Sequence, residues 1–227
     1  MTDSYLRFPH LHHDRITFVA EDDVWLAPLE GGRPWRLSAD RVPAGNPRLS
    51  LASSVIAWTS WRDADPEVHI ADTDGGASTR LTYWGDVKTQ VLGWTPDGEV
   101  LAATSTGESS IRRTWAYAVP RDGGPARRLP YGPVGGLAFG DGGALLLGSS
   151  YSRELAWWKR YRGGTAGKLW LDATGSGEFD RILAHVDGNL VCPMWVAPRP
   201  RAASADQDRR GDGTAVLRLR SGVHSRR

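Results

Sequence analysis

Val24-Trp25-Leu26-Ala27-Pro28-Leu29, then Gly31-Gly32, then Trp35-Arg36-Leu37 is the phrase that decides the fold, because it recurs. A second copy reads Val68-His69-Ile70-Ala71, Gly75-Gly76, Thr79-Arg80-Leu81, and a third reads Thr114-Trp115-Ala116-Tyr117-Ala118-Val119, Gly123-Gly124, Ala126-Arg127-Arg128-Leu129. A looser fourth runs Lys168-Leu169-Trp170-Leu171, Gly175-Ser176-Gly177, Phe179-Asp180-Arg181-Ile182. Each is a short apolar strand, a glycine turn and a strand opened by Arg. From Leu37 through Leu81 and Leu129 to Ile182 the spacings are 44, 48 and 53 residues. That is the length of a four-stranded propeller blade.

Two further apolar runs precede each hairpin. They are Pro47–Ser50 and Val55–Ser60 in the second unit, Val91–Trp94 and Val100–Ser105 in the third, and Gly136–Phe139 and Ala144–Leu147 in the fourth. All are short, rich in Val, Leu, Ile and Trp, and bounded by Gly, Asp or Pro, so the period favours strand over helix. The Gly-Gly pairs are expected in hairpin turns, where φ > 0 suits a residue without Cβ. The first unit shows only Leu6-Arg7-Phe8 and Ile16–Ala20 ahead of its hairpin, which leaves room for a closing strand from later sequence. The 11 Trp residues are read as filler between adjacent sheets, since a blade buries both faces.

The reading is therefore all-β: an incomplete β-propeller of about four to five four-stranded blades, of the six-bladed TolB-like type, over residues 1–197. A fifth unit opens with Cys192-Pro193-Met194-Trp195-Val196-Ala197, and then alternation stops. Residues 198–227 hold eight Arg and three Asp, a balance of +5, which leaves −3 on residues 1–197. This tail is expected to be either a disordered basic segment or the product of a slipped reading frame in a GC-rich gene. Because the basic charge belongs to the tail, the repeat region gives no support for a nucleic-acid surface. With apolar faces left open, the fragment is expected to be marginally stable.

The single cysteine, Cys192, excludes an internal disulfide framework. The absence of a basic-then-apolar leader and of eighteen consecutive apolar residues makes a cytoplasmic protein without membrane contact the expectation.

Several blade phrases are more specific than the architecture. Phe18–Trp25, Glu67–Ala71, Arg80-Leu81-Thr82-Tyr83-Trp84-Gly85, Gly93–Gly98 and above all Trp158–Trp170 resemble the N-terminal propeller of actinobacterial tricorn proteases, over about residues 5–197. The resemblance implies a portion of a large, cytoplasmic, homo-oligomeric serine peptidase that trims oligopeptides released by the proteasome. In that family the propellers act as channels, and the nucleophilic Ser with its partners lies in a C-terminal half. No catalytic residue carries over to this chain, which is expected to be inactive alone. The alternative is a free-standing TolB-like propeller binding a protein or peptide at one mouth, and a third reading is the propeller of a prolyl-oligopeptidase-like enzyme.

Independent chemistry is sparse. No Gly-x-Ser-x-Gly elbow, phosphate loop or Cys pair is present. His10-Leu11-His12-His13-Asp14 offers imidazoles and a carboxylate, but it is expected to form a solvated connection between the first two strands rather than a metal site. Glu21-Asp22-Asp23 lacks the alternating ligands of a calcium loop and is expected to be a polar turn. In Trp157–Arg162, cations interleave with aromatics, which makes Lys159, Arg160 and Arg162 the candidate peptide contacts. No metal or cofactor is expected.

Overall fold

The computed structural model describes residues 5–149 and 163–195, all within one compact unit, Met1–Ala197. The described residues are strands, turns and loops, and their one helical element is the three-residue 3-10 turn Asp141–Gly143. The first blade consists of β1 (Arg7–His12), β2 (Arg15–Ala20), β3 (Asp23–Pro28) and β4 (Trp35–Arg36), antiparallel and in chain order. The second is β5 (Ala44–Leu49), β6 (Val55–Asp63), β7 (Asp65–Asp72) and β8 (Thr79–Arg80). The third begins with β9 (Gln90–Trp94), β10 (Val100–Thr104) and β11 (Trp115–Val119).

Its outer strand is the first part of β12 (Arg127–Phe139), 13 residues long, which pairs Arg127 and Arg128 with β11. The second part of β12 becomes the inner strand of the fourth blade, pairing Val134 through Phe139 with β13 (Leu145–Ser149). Then β14 (Leu169–Asp172) and β15 (Asp180–Ile182) complete that blade. One continuous strand thus joins two blades into a seven-stranded sheet. The first blade has its own four strands, so the expected gap in it does not exist; β1 pairs with β2 directly, from Arg7↔Val19 to His12↔Arg15.

Side chains of a strand alternate between its faces, and here both faces are covered. In β10, Val100 and Ala102 join the cluster shared with Val55, Ala57 and Val68 of the second blade. Leu101 points the other way, into the cluster with Leu137, Leu145 and Leu147 of the fourth. Trp58, Ile56 and Ala71 of the second blade meet Val19, Val24 and Leu26 of the first. Each large side chain so buried contributes roughly 1.5–3 kcal/mol. That is why the strands read as unbroken apolar runs rather than alternating ones.

The recurring Arg-Leu pair has a structural cause. In the first blade, Ser38 Oγ accepts the Val24 N–H and donates to Asp23, at 2.9 Å each, while Arg36 reaches the same carboxylate at 3.4 Å. In the second blade, Thr82 Oγ1 accepts the Val68 N–H at 2.9 Å and donates to Glu67, which also receives Arg80 at 3.1 Å and the Gly85 N–H at 2.8 Å. Leu37 and Leu81 then hydrogen-bond back to Val24 and Val68. This tie fastens each outer strand to its neighbour. In the third blade Trp115 stands at the acid's place, and the Arg128 guanidinium stacks over its ring at 3.3 Å instead.

The glycine turns form as expected at Gly31-Gly32 and Gly75-Gly76, all with positive φ; in the third, only Gly123 does, and Gly124 stays in the ordinary region. The beginning of the fifth unit, Val191–Trp195, carries no assigned strand but lies on the fourth blade. A Cβ on Gly136 would stand 2.7 Å from Pro193, and one on Gly140 2.4 Å from Trp195. Residues 198–227, and with them the expectations for the tail, lie outside the described residues.

Glu67 is 1% exposed and holds three partners, so Glu67→Ala leaves the Thr82 hydroxyl and the Gly85 N–H without their acceptor and takes one of the two carboxylates from Arg80. The expected loss is about 3 kcal/mol, seen as a lower thermal midpoint, with Thr82→Val showing a smaller loss. An unchanged midpoint in Glu67→Ala would remove the tie from the account.

Candidate functional site

The strands that open the blades lie against one another in series, β1 on β5, β5 on β9 and β9 on β12, and so form the inner arc of the ring. All four carry a register irregularity against their second strand: between Arg7 and His10, between Gly45 and Arg48, beside Leu92, and between Val134 and Gly136. Bulges re-aim side chains, and here they do so along the ring's inner edge. Two of them, and the start of the fifth unit, share one device, a residue of positive φ followed by Pro: Phe8-Pro9 (φ 52), Asn46-Pro47 (φ 49) and Cys192-Pro193 (φ 54). That conformation is costly for a residue with a side chain, particularly before Pro. Its recurrence shows that Cys192 opens a fifth unit in the same manner as the first two.

The residues that follow these prolines include His10 and Arg48. Arg48 donates from Nε to the Leu92 carbonyl at 3.1 Å and from Nη1 to the Pro47 carbonyl at 2.9 Å, and its own carbonyl accepts the Trp94 indole N–H at 3.0 Å. Burial lowers its pKa. His10 Nδ1 accepts the Leu49 N–H at 3.3 Å, which spans the first and second blades. Burial, then the Arg48 charge, then His12 push the His10 pKa down to about 3, so the ring is neutral. His12 lies 6.4 Å from His10, nearly parallel, with Nε2 at 3.0 Å from the Leu51 carbonyl.

The imidazole segment therefore is not a solvated connection. His10 and His12 sit within β1 and bind backbone of the second blade; only His13-Asp14 makes the turn. Among the described residues no group of three His, Cys, Asp or Glu side chains is placed to hold a metal ion. Glu21 and Asp22 form the turn between β2 and β3, both with positive φ, but Asp23 is buried as the carboxylate of the first tie. The peptide-contact candidates Lys159, Arg160 and Arg162 fall in the connection between β13 and β14, outside the described residues.

Sequence reasoning missed His69. It is 1% exposed, packs 6.0 Å from Trp58, and has neither ring nitrogen hydrogen-bonded. Its pKa is lowered, chiefly by burial and then by Arg62. Nothing in the phrase Val68-His69-Ile70 separates it from the apolar residues at the same place in other blades.

Comparison with known proteins agrees with this architecture. The family described as the tricorn protease N-terminal β-propeller domain matches residues 3–207. Tricorn protease homolog 1 of Streptomyces coelicolor is 54% identical over 224 residues, 99% of this chain and 21% of that protein, so the likeness continues past Ala197. A Tricorn-like protease N-terminal subunit of Sulfurisphaera tokodaii is 32% identical over 172 residues, 73% of this chain and 87% of that protein. Among solved structures, the crystal structure of the tricorn protease superposes with a TM-score of 0.72 at 29% identity, covering 82% of this chain and 19% of that one. The chain spans about a fifth of the length of the Streptomyces relative. No described helix is long and apolar enough to cross a membrane.

The neutral His10 makes stability depend on pH. The unfolded ring takes up a proton near 6.5 and the folded ring only near 3, so stability is full above pH 6.5 and declines as pH falls below it. The thermal midpoint is expected to drop between pH 7.5 and 5.5. His10→Asn, which keeps an acceptor for Leu49, should reduce that drop, leaving the part due to buried His69, and a parallel profile in the variant would show that His10 does not control it.

Proposed function

Because it belongs to the tricorn protease N-terminal β-propeller family, this chain, we propose, serves as the non-catalytic channel portion of a tricorn-type serine peptidase that degrades oligopeptides downstream of the proteasome. The observation that carries the reading is the inner arc, whose bulged strands carry polar residues such as Arg48 and His10 bonded to backbone of the neighbouring blade, on a scaffold whose core apolar side chains pack between blades. Such a surface suits passage of a polar, extended chain rather than chemistry on it. No Ser hydroxyl among the described residues is hydrogen-bonded to an imidazole, the contact that activates a serine nucleophile. In this reading the chemistry belongs to the catalytic half of the peptidase.

Under this reading the assembly is cytoplasmic and homo-oligomeric, its partners are oligopeptides, and nucleic acid and membrane play no part. The division into a propeller portion, 1–197, and a tail, 198–227, belongs to the same proposal. The archaeal N-terminal subunit, most of whose length is matched, supports a second form of the reading, in which the propeller works as a separate chain beside its catalytic half.

Cys192, the sole cysteine and exposed, is a handle on the channel. In a hybrid joining this chain to the remainder of the Streptomyces relative, with that remainder's cysteines replaced, a bulky maleimide at Cys192 should slow hydrolysis of long peptides several-fold. A short chromogenic substrate entering elsewhere should be spared. Equal rates with and without the label would refute the channel role, and covalent labelling of a Ser in the isolated chain by a serine-directed inhibitor would refute its non-catalytic nature.

A further inference from the structure

We propose that His69 makes the joint between the first and second blades acid-labile: a proton taken up by its imidazole releases one sheet from the other. The proposal stands apart from the channel reading. Trp25, His69, Tyr117 and Trp170 occupy one repeated position, each opposite an Arg of the recurring phrase, namely Arg36, Arg80, Arg128 and Arg181. Three of the four described blades thus place there an aromatic ring that carries no charge near neutral pH. The second blade has instead a group that ionises between about pH 5 and 8.

His69 lies within the joint. Residues two apart on a strand share a face, so His69 stands on the face of Ala71 and opposite Trp58 of β6, with ring centroids 6.0 Å apart. Ala71 and Trp58 pack with Val19, Val24, Leu26 and Leu37 of the first blade, whereas Val68 and Ile70 face the third. At 1% exposure the imidazole is shut off from water, and neither of its nitrogens has a hydrogen-bond partner. A neutral ring tolerates this. An imidazolium has two N–H donors and a charge to satisfy, and burial without partners is costly for both.

The charges around it are already committed. Asp40 holds Arg62 at 2.5 Å and Asp63 holds Arg80 at 2.7 Å. Glu67, on the same strand as His69, takes Arg80 at 3.1 Å together with the Thr82 hydroxyl and the Gly85 N–H. From the first blade, Arg15 reaches Thr73 and the Ser53 carbonyl, and His10 and His12 reach Leu49 and Leu51. Burial, and after it the Arg62 charge, lower the His69 pKa, with Arg80 acting in the same direction and Asp63 and Asp40 opposing. Protonated, His69 is a third cation beside two arginines whose carboxylates are taken.

That charge is relieved by leaving the joint, and the ring reaches water only when the Trp58 face parts from Val24 and Leu26. A ring exposed by opening binds its proton near 6.5 and the buried ring only at lower pH, so the closed joint is favoured above pH 6.5 and weakens as pH falls. At a pH one unit below that value, the open form gains about tenfold over its share one unit above it. Such an opening is sub-global, confined to the blade that detaches.

The test is residue-resolved amide exchange at pH 7.5 and 5.5, each rate corrected for its intrinsic pH dependence, in the whole chain carrying His10→Asn, so that the other buried imidazole does not contribute. Amides of β2 and β3 should lose about tenfold in protection relative to those of β10. Adding His69→Phe, a ring without a titration, should abolish that loss, and His69→Gln replaces it if the Phe variant loses spectral dispersion. If His10→Asn itself loses dispersion, the comparison is made between the unaltered chain and His69→Phe. Equal protection at the two pH values, or an equal loss with and without the imidazole, would overturn the switch. So would a His69 Cε1–H signal that titrates near 6.5 while β2 and β3 keep their protection.

Discussion

The second and third blades depend on apolar side chains leaving both faces of one sheet at once. A half-buried sheet can stand on a single core, but β10 sends Val100 and Ala102 to one neighbour and Leu101 to the other, so its strands are satisfied only between two blades. The ring is the consequence. Twisted sheets that must be covered twice can stack as a solenoid or go round an axis, and inner strands laid edge to edge with wider outer strands take the second course. Where no described blade lies alongside, apolar surface shows: Leu6, Phe8 and Leu11 on or just ahead of β1 are 58%, 41% and 57% exposed.

Within that constraint, the ties and bulges divide the labour. The Asp23 and Glu67 carboxylates fasten the outer edge, each satisfying a backbone N–H, a hydroxyl or an arginine that would otherwise lie unpaired. The inner edge has one arginine–carboxylate pair at its start, Arg7 of β1 with Asp22 at 2.8 Å. It carries bulges and positive-φ residues, and its polar side chains bridge neighbouring blades: His10 to Leu49, Arg48 to Leu92, and Trp94 back to Arg48. Positive-φ residues other than glycine also stand in the turns, at Glu21, Asp22, Ser53 and Ala64, but only on the inner strands and at Cys192 do they precede proline, at Phe8-Pro9 and Asn46-Pro47.

Much of this was legible in the sequence because a blade writes itself as a period. Apolar runs bounded by Gly, Asp and Pro located the strands of all four blades, and the Arg-Leu pair marked a tie whose chemistry only the coordinates revealed. The first strand was underestimated, since Pro9 and the two flanking imidazoles interrupt its apolar pattern while its bulge keeps it paired. The site was less legible. Arg48 looks like any charged residue of a short strand; its bonds to Leu92 and Trp94 depend on distant chain segments. His69 is concealed for the opposite reason, as it occupies an apolar position without any local mark. The basic cluster at Lys159, Arg160 and Arg162 stood out because it is contiguous, a property of sequence that says little about convergence in space.

Residue-resolved amide hydrogen exchange tests the dependence on two-sided burial most directly. Strands covered on both faces, β6, β7, β10 and β11, should exchange slowest and together, and β2 and β3, whose blade has a neighbour on one side only among the described residues, should exchange faster despite equally complete pairing. Uniform protection across the four blades, or slowest exchange in the first, would contradict the account.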